Sequence, residues 1–212
     1  GAVSKNRLLT TQSGYYMYPC TIAAGGEAYY AYVENELSSG DLLGNGKHHL
    51  YVAKGDEQAK EVVLPENGQI VNMTAGCFGG EPYTVCEMDM DGDIATEEDR
   101  EIYTFSMKDG SAVNISNNSV CDTMPCVSER CIYWYQAGNI MHTSSPVGVT
   151  STIWSEPKLQ GKIWMTAVTN RSGNDVLMWE SVSPDTEDCS VTVWQTCENS
   201  DGSWQNPVRF AE

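Results

Sequence analysis

Six carboxylates crowd into the eleven residues Asp89-Met90-Asp91-Gly92-Asp93-Ile94-Ala95-Thr96-Glu97-Glu98-Asp99. Alternate side chains of a tight loop point inward, so Asp89, Asp91 and Asp93 converge. The carbonyl of Ala95 and the carboxylate of Glu97 can then complete an oxygen shell, and an all-oxygen shell of this kind suits calcium. Without a counter-ion, charges this dense repel one another strongly. The alternative is a solvated acidic loop between two strands. Calcium here would stiffen a loop and catalyse nothing.

Aromatic side chains are the second candidate chemistry, because sugars stack on exposed Trp and Tyr. Trp204 falls in a turn, and Trp154 and Tyr15-Tyr16 fall near strand edges. Trp134, Trp164, Trp179 and Trp194 lie inside strand-like runs and read as core, and core packing is expected of Trp204 as well. His48-His49 opens a strand with no third ligand at metal-site spacing, which favours an exposed pair over a metal site. Motifs for catalysis are missing: there is no G-x-S-x-G elbow, H-E-x-x-H or P-loop. With 29 Asp+Glu, any carboxylate pair is uninformative, and Arg7, Arg100, Arg130, Arg171 and Arg209 are scattered. No catalytic or cofactor-binding residue is assigned.

The elements that must position these groups recur with a period. Strand-like runs close at Lys60–Glu66, Ser111–Asn117, Thr152–Pro157 and Gln205–Glu212, with a further run at Arg7–Gln12. From Leu8 through Val62, Val113 and Ile153 to Val208 the steps are 54, 51, 40 and 55 residues. Each step holds four runs rich in aromatic and β-branched residues, broken by Gly, Asn, Asp, Ser and Pro. The second run of each step (AYYAYV, PYTVC, IYWYQ, VLMWE) is nearly continuous in apolar residues, as a strand buried on both faces must be. The pattern predicts an all-β fold, a β-propeller of about four four-stranded antiparallel blades with 7–12 as an extra outer strand. A single domain over 1–212 is expected, with blades near 13–67, 68–118, 119–160 and 161–212. A piece of a five- to eight-bladed ring is the other possibility.

A net charge of −17 repels phosphate backbones and anionic lipid, which argues against nucleic acid and anionic membranes as partners. No apolar run is long enough to span a membrane as a helix. Eight cysteines without metal-site spacing point to disulfides and an extracellular or cell-surface location. Local pairs Cys77–Cys86 and Cys189–Cys197 are the expectation. Gly1 reads as a residue left by tag removal, so other domains of a longer chain are expected partners.

Asp99–Ser116 (DREIYTFSMKDGSAVNIS) is similar to the blades of TolB-type propellers. Asn174–Phe210 resembles the sialidase-type repeat, in which a D-x-G-x-x-W turn leads to a closing strand. Here only Asp201-Gly202-Ser203-Trp204 survives of the full motif. The acidic loop resembles the calcium loops of EF-hand, dockerin and integrin-type propeller proteins. It departs from the EF-hand pattern in the place of its Gly and in having Arg100 where a bidentate Glu belongs. Such propellers include enzymes, lectins and scaffolds. The sequence therefore favours a non-catalytic module that binds a glycan or protein. A sialidase- or glycosidase-like hydrolase fragment and a structural spacer are the alternatives.

Overall fold

The computed structural model describes residues 14–37, 46–147, 151–155, 163–182 and 191–211. They form sixteen strands and, among the described residues, no helix. The strands are β1 (Tyr15–Ala24), β2 (Glu27–Glu36), β3 (Lys47–Lys54), β4 (Lys60–Val62), β5 (Gln69–Phe78), β6 (Glu81–Asp89), β7 (Glu101–Ser106) and β8 (Ala112–Asn114). They continue as β9 (Asp122–Val127), β10 (Ile132–Gln136), β11 (Asn139–Thr143), β12 (Ser151–Ser155), β13 (Ile163–Thr169), β14 (Asp175–Val182), β15 (Val191–Cys197) and β16 (Val208–Ala211). Consecutive strands pair antiparallel into four sheets, β1–β4, β5–β8, β9–β12 and β13–β16. The fold is the expected all-β propeller with four blades. The proposed extra strand at 7–12 lies outside the described residues.

Turn chemistry sets the register. Gly25-Gly26 and Gly79-Gly80 have positive φ at both central positions and join strands that end opposite each other, Ala24 facing Glu27 and Phe78 facing Glu81. A two-residue turn of that hand matches the twist of a hairpin, and glycine adopts it without steric cost. The closing strands β4 and β8 are three residues long, short enough to limit the exposed edge they present.

Blades stack through three apolar layers. Val33, Leu50 and Ala31 of the first blade meet Ile70, Met88 and Phe105 of the second. Phe78, Val85 and Ile102 of the second meet Ile132 and Trp134 of the third. Tyr133 and Ile140 of the third meet Leu177 and Trp179 of the fourth. Burying each such side chain contributes about 1.5–3 kcal/mol. The second strands of the blades sit in the middle of these layers, which explains their unbroken apolar runs. The first strands stand around one axis and line a cavity of about 520 Å³, walled by Ala23, Ala75, Gly76, Val127, Ala167 and Val168 among others.

Three first strands bulge near their start. The extra residue falls between Met17 and Cys20 in β1, between Ile70 and Asn72 in β5, and in β9 opposite Tyr133 to Tyr135. Tyr18 and Met124, inside two of these bulges, hold positive φ of 51° and 55°. Bulges re-aim side chains and bend the strand, and the one in β9 turns the Met124 N–H onto the buried Glu87 described below.

The repeat ends differently at its two termini. β1 lies against β5, β5 against β9 and β9 against β13. Among the described residues, β13 and β1 share no interface of comparable extent. The unpartnered face of the fourth blade carries Trp164, 53% exposed, and Val168, 59% exposed. Trp164 is thus an exception to the core role expected of the strand tryptophans, whereas Trp134 and Trp179 are buried and Trp194 is half-buried in the third layer.

Candidate metal centre and clefts

The acidic loop joins β6 to β7, and it folds back on itself instead of running as an open arc. Asp89, Asp91 and Asp99 each offer a carboxylate oxygen, and these atoms lie within 4.8 Å of one another. Backbone N–H groups satisfy part of the trio. Gly92 donates to Asp89 Oδ1 at 3.1 Å, Asp93 to Asp91 Oδ1 at 2.7 Å, and Met90 to Asp99 Oδ2 at 3.0 Å. Asp89 Oδ2 and Asp99 Oδ1 are buried and have no hydrogen-bond partner among the described residues. Two orphaned carboxylate oxygens beside a third carboxylate form a hard anionic donor set, which fits a hard cation. Burial, and then the charge of Asp99, push the Asp89 carboxyl above the usual carboxylate range.

Of the residues expected to ligate, Asp89 and Asp91 are brought together and the others are not. Asp93 Oδ1 accepts from the Ala95 N–H at 3.1 Å, and Glu97 sits 3.9 Å from the Arg100 guanidinium. Ala95 is exposed. Asp99 completes the trio, and only the density of acids pointed to it, because its approach depends on the loop closing onto Met90.

Directly behind the loop, Arg100 reaches Glu87 Oε1 at 3.0 Å and the Ile94 carbonyl at 3.2 Å. Glu87 is fully buried, and its Oε2 accepts from the Met124 N–H in the β9 bulge at 2.8 Å. This ties the second blade to the third. Burial raises the Glu87 carboxyl, and the Met124 N–H and Arg100 oppose that rise. Tyr18 lies near enough for the Glu87 charge to help burial raise its phenol.

A cleft of about 570 Å³ opens where the turn after β15 arches over the third blade. Tyr133 and His142 face each other across β10 and β11, their rings 6.0 Å apart and 11° from parallel. Trp204 meets Tyr133 edge-on at 6.0 Å. Behind them Asp175, fully buried at the start of β14, accepts from the Tyr133 hydroxyl at 2.5 Å, Ser128 Oγ at 2.7 Å and Thr169 Oγ1 at 2.7 Å. Arg130 and Glu198 pair at the rim. Trp204 both packs against the third apolar layer and lines the cleft. Burial lowers the His142 pKa, and the charges of Glu198 and Asp175 oppose that fall.

Two other expectations are corrected. His48-His49 is not an exposed pair: His48 is buried and its Nδ1 accepts from the Ile70 N–H at 2.9 Å, while His49 contacts Glu61 at 2.6 Å and Glu36 at 3.1 Å. Cys77 and Cys86 do not bridge. Cys77 stands opposite Pro82 and Cys86 opposite Met73, four rungs apart. At about 3.3 Å per residue that is roughly 13 Å, well beyond the span of a disulfide. The seven described cysteines are all free thiols, and Cys189 lies outside the described residues. Among the described residues no helix is long and apolar enough to cross a membrane.

No protein-family model matches the chain, and no curated protein sequence matches it. Solved structures do. The chain is similar to a xylan β-1,4-xylosidase from Bacillus halodurans C-125, at TM-score 0.51 and 12% identity over 95% of this chain. It spans 47% of that xylosidase, less than half its length. It also resembles the GH43_1 enzyme from Xanthomonas citri complexed with xylose (TM-score 0.47, 10% identity, covering 89% of this chain and 71% of that one). TolB from Acinetobacter baumannii gives TM-score 0.46 and 11% identity, over 96% of this chain and 56% of its own. Identities this low speak for the fold alone, and the fold shared with the xylosidase is the β-propeller.

Proposed function

We propose that this protein is a non-catalytic β-propeller module that binds a glycan, with calcium held at the acidic loop. The observation that carries the first half is the fate of its buried carboxylates. Glu87 is occupied by Arg100 and Met124, Asp122 by Trp134, Gln136 and Asn118, and Asp175 by three hydroxyls. Glycoside hydrolysis needs two carboxyl groups flanking a space for the sugar. The axial cavity is walled mainly by small apolar side chains, and Glu129 is the single carboxylate in its lining among the described residues. Similarity in fold to a xylosidase adds a carbohydrate context for this kind of scaffold. The orphaned oxygens of Asp89 and Asp99 support the cation, and their all-oxygen character favours calcium over softer metals.

On this reading the module works outside the cell or on its surface, as one part of a longer chain, with a glycan in preference to a protein as its ligand. Free thiols at the described cysteines lend the location no support from disulfides. The location rests on the even count of eight cysteines in the sequence. Calorimetric titration with neutral plant and microbial oligosaccharides, run beside an assay for released reducing ends, tests the proposal. Saturable binding without product release is expected. Turnover of any oligosaccharide would establish a hydrolase, and silence across the panel would remove the glycan.

A further inference from the structure

We propose that the cleft between the third and fourth blades, under the turn that carries Trp204, is the site where a neutral oligosaccharide binds. This rests on the glycan reading above and assigns it a place, away from the propeller axis. The cleft combines what a sugar needs, an aromatic surface for its C–H faces and fixed polar groups for its hydroxyls. Trp204 supplies the accessible aromatic edge, and Asn206, Gln205 and Ser144 supply amide and hydroxyl groups. Its volume of about 570 Å³ falls within the usual range of small-ligand sites.

The walls are held in place before any ligand arrives. Tyr133 is pinned by its hydroxyl on buried Asp175 and stacks on His142, so the surface behind Trp204 cannot collapse into the cleft. The Trp204 turn is closed by the Glu198–Trp204 bridge. The Gln205 N–H on the Cys197 carbonyl at 3.0 Å and Thr196 Oγ1 on the Gln205 carbonyl at 2.7 Å close it further. Asp201 accepts from the Ser203 N–H and hydroxyl at 2.9 and 2.6 Å, fixing the tip. A preformed site spares the ligand the cost of ordering loops, which matters for a sugar that gives up much hydration on binding.

Charge selects the neutral class. Arg130 is paired with Glu198, so the one cation in the lining is already neutralised. The chain as a whole carries −17 and repels uronates and sulfated chains.

Titration with xylotetraose and with cellotetraose, followed by calorimetry and tryptophan emission, tests the assignment. Trp204→Ala is expected to weaken binding by about tenfold or more, the scale of a buried aromatic anchor. Asn206→Ala, whose side chain takes no part in holding the turn, is expected to weaken it by about threefold or more while melting like the parent. Trp164→Ala, on the open face of the fourth blade, should leave affinity unchanged. Tetraose binding that survives Trp204→Ala and Asn206→Ala would overturn the cleft while leaving the glycan reading intact. Loss through Trp164→Ala would move the site to the open face. No binding of either tetraose by the parent protein would overturn the cleft together with the reading it rests on.

Discussion

Asp175 and Asp89 are both fully buried aspartates at strand ends, one opening β14 and the other closing β6, and their surroundings differ in kind. Asp175 is surrounded by donors: three hydroxyls converge on it, and its charge is spread over a network that joins two blades. Asp89 has one backbone donor on one oxygen, nothing on the other, and two further carboxylates close by. Burial of a charge is tolerated only when something compensates it. For Asp175 the compensation is complete within the chain, so the residue serves the architecture. For Asp89 the described residues supply only the Gly92 N–H and the charge of Arg100, and one oxygen is left without a donor in a trio that could hold a cation. Glu87 stands between the two, compensated by one guanidinium and one N–H.

The contrast can be broken most forcefully at Glu87. Arg100→Met strands a fully buried carboxylate and should cost about 3–5 kcal/mol, read as a fall in the urea midpoint. A smaller loss would mean water reaches Glu87. Asp175→Ala orphans three hydroxyl donors and should cost about 2–3 kcal/mol, with Asp175→Asn recovering part of it. The same replacement at Asp89 should go the other way in calcium-free buffer: Asp89→Asn relieves a repulsion and leaves the protein as stable or more so, by about 1 kcal/mol. Destabilisation there would place Asp89 in the same class as Asp175.

Calcium at a hundredfold excess over its dissociation constant should stabilise the parent protein by about 2.7 kcal/mol, measured as a rise in melting temperature. The double variant Asp89→Asn, Asp99→Asn should show no rise. A rise that survives this double variant would put the cation elsewhere.

A further effect is in pH. Burial lifts the Asp122 carboxyl to about 6 and raises those of Asp89 and Glu87. A carboxyl whose folded pKa exceeds its unfolded value gives stability that is fully present below the unfolded pKa and is lost as pH rises through the folded one. Calcium-free protein should therefore lose stability as pH rises from about 4 to about 6, chiefly through Asp122, whose shift corresponds to roughly 3 kcal/mol, with Asp89 and Glu87 acting in the same direction. Asp89→Asn should flatten that slope, and added calcium should flatten it too, since the bound cation favours the ionised form. An unchanged slope in the variant would show that Asp89 is not the strained member.

How legible all this was in the sequence follows the range of the interaction. The blade spacing and the strand boundaries, such as Glu81–Asp89, could be read from runs and turns, because a strand and its turn are made by neighbours in the chain. The acidic loop was legible for the same reason, but only as a density of charge. Which carboxylates meet depends on Asp99 folding back onto Met90, and the trio so formed includes Asp89 and Asp91 but neither Asp93 nor Glu97. The Cys77–Cys86 expectation failed because an even count carries no register: pairing of β5 with β6 sets the two four rungs apart. The Trp204 cleft was beyond reach, since Tyr133, His142 and Asp175 come to it from three strands of two blades.

By itself, then, the sequence determined the all-β repeat, its four-strand period and the anionic character of the chain, all of which depend on residue type and local spacing. Tertiary structure alone decided which buried carboxylates are satisfied, where a cleft opens between blades, and which blade faces stay unpartnered. Those outcomes depend on groups dozens of residues apart reaching hydrogen-bond distance, and spacing along the chain does not encode that.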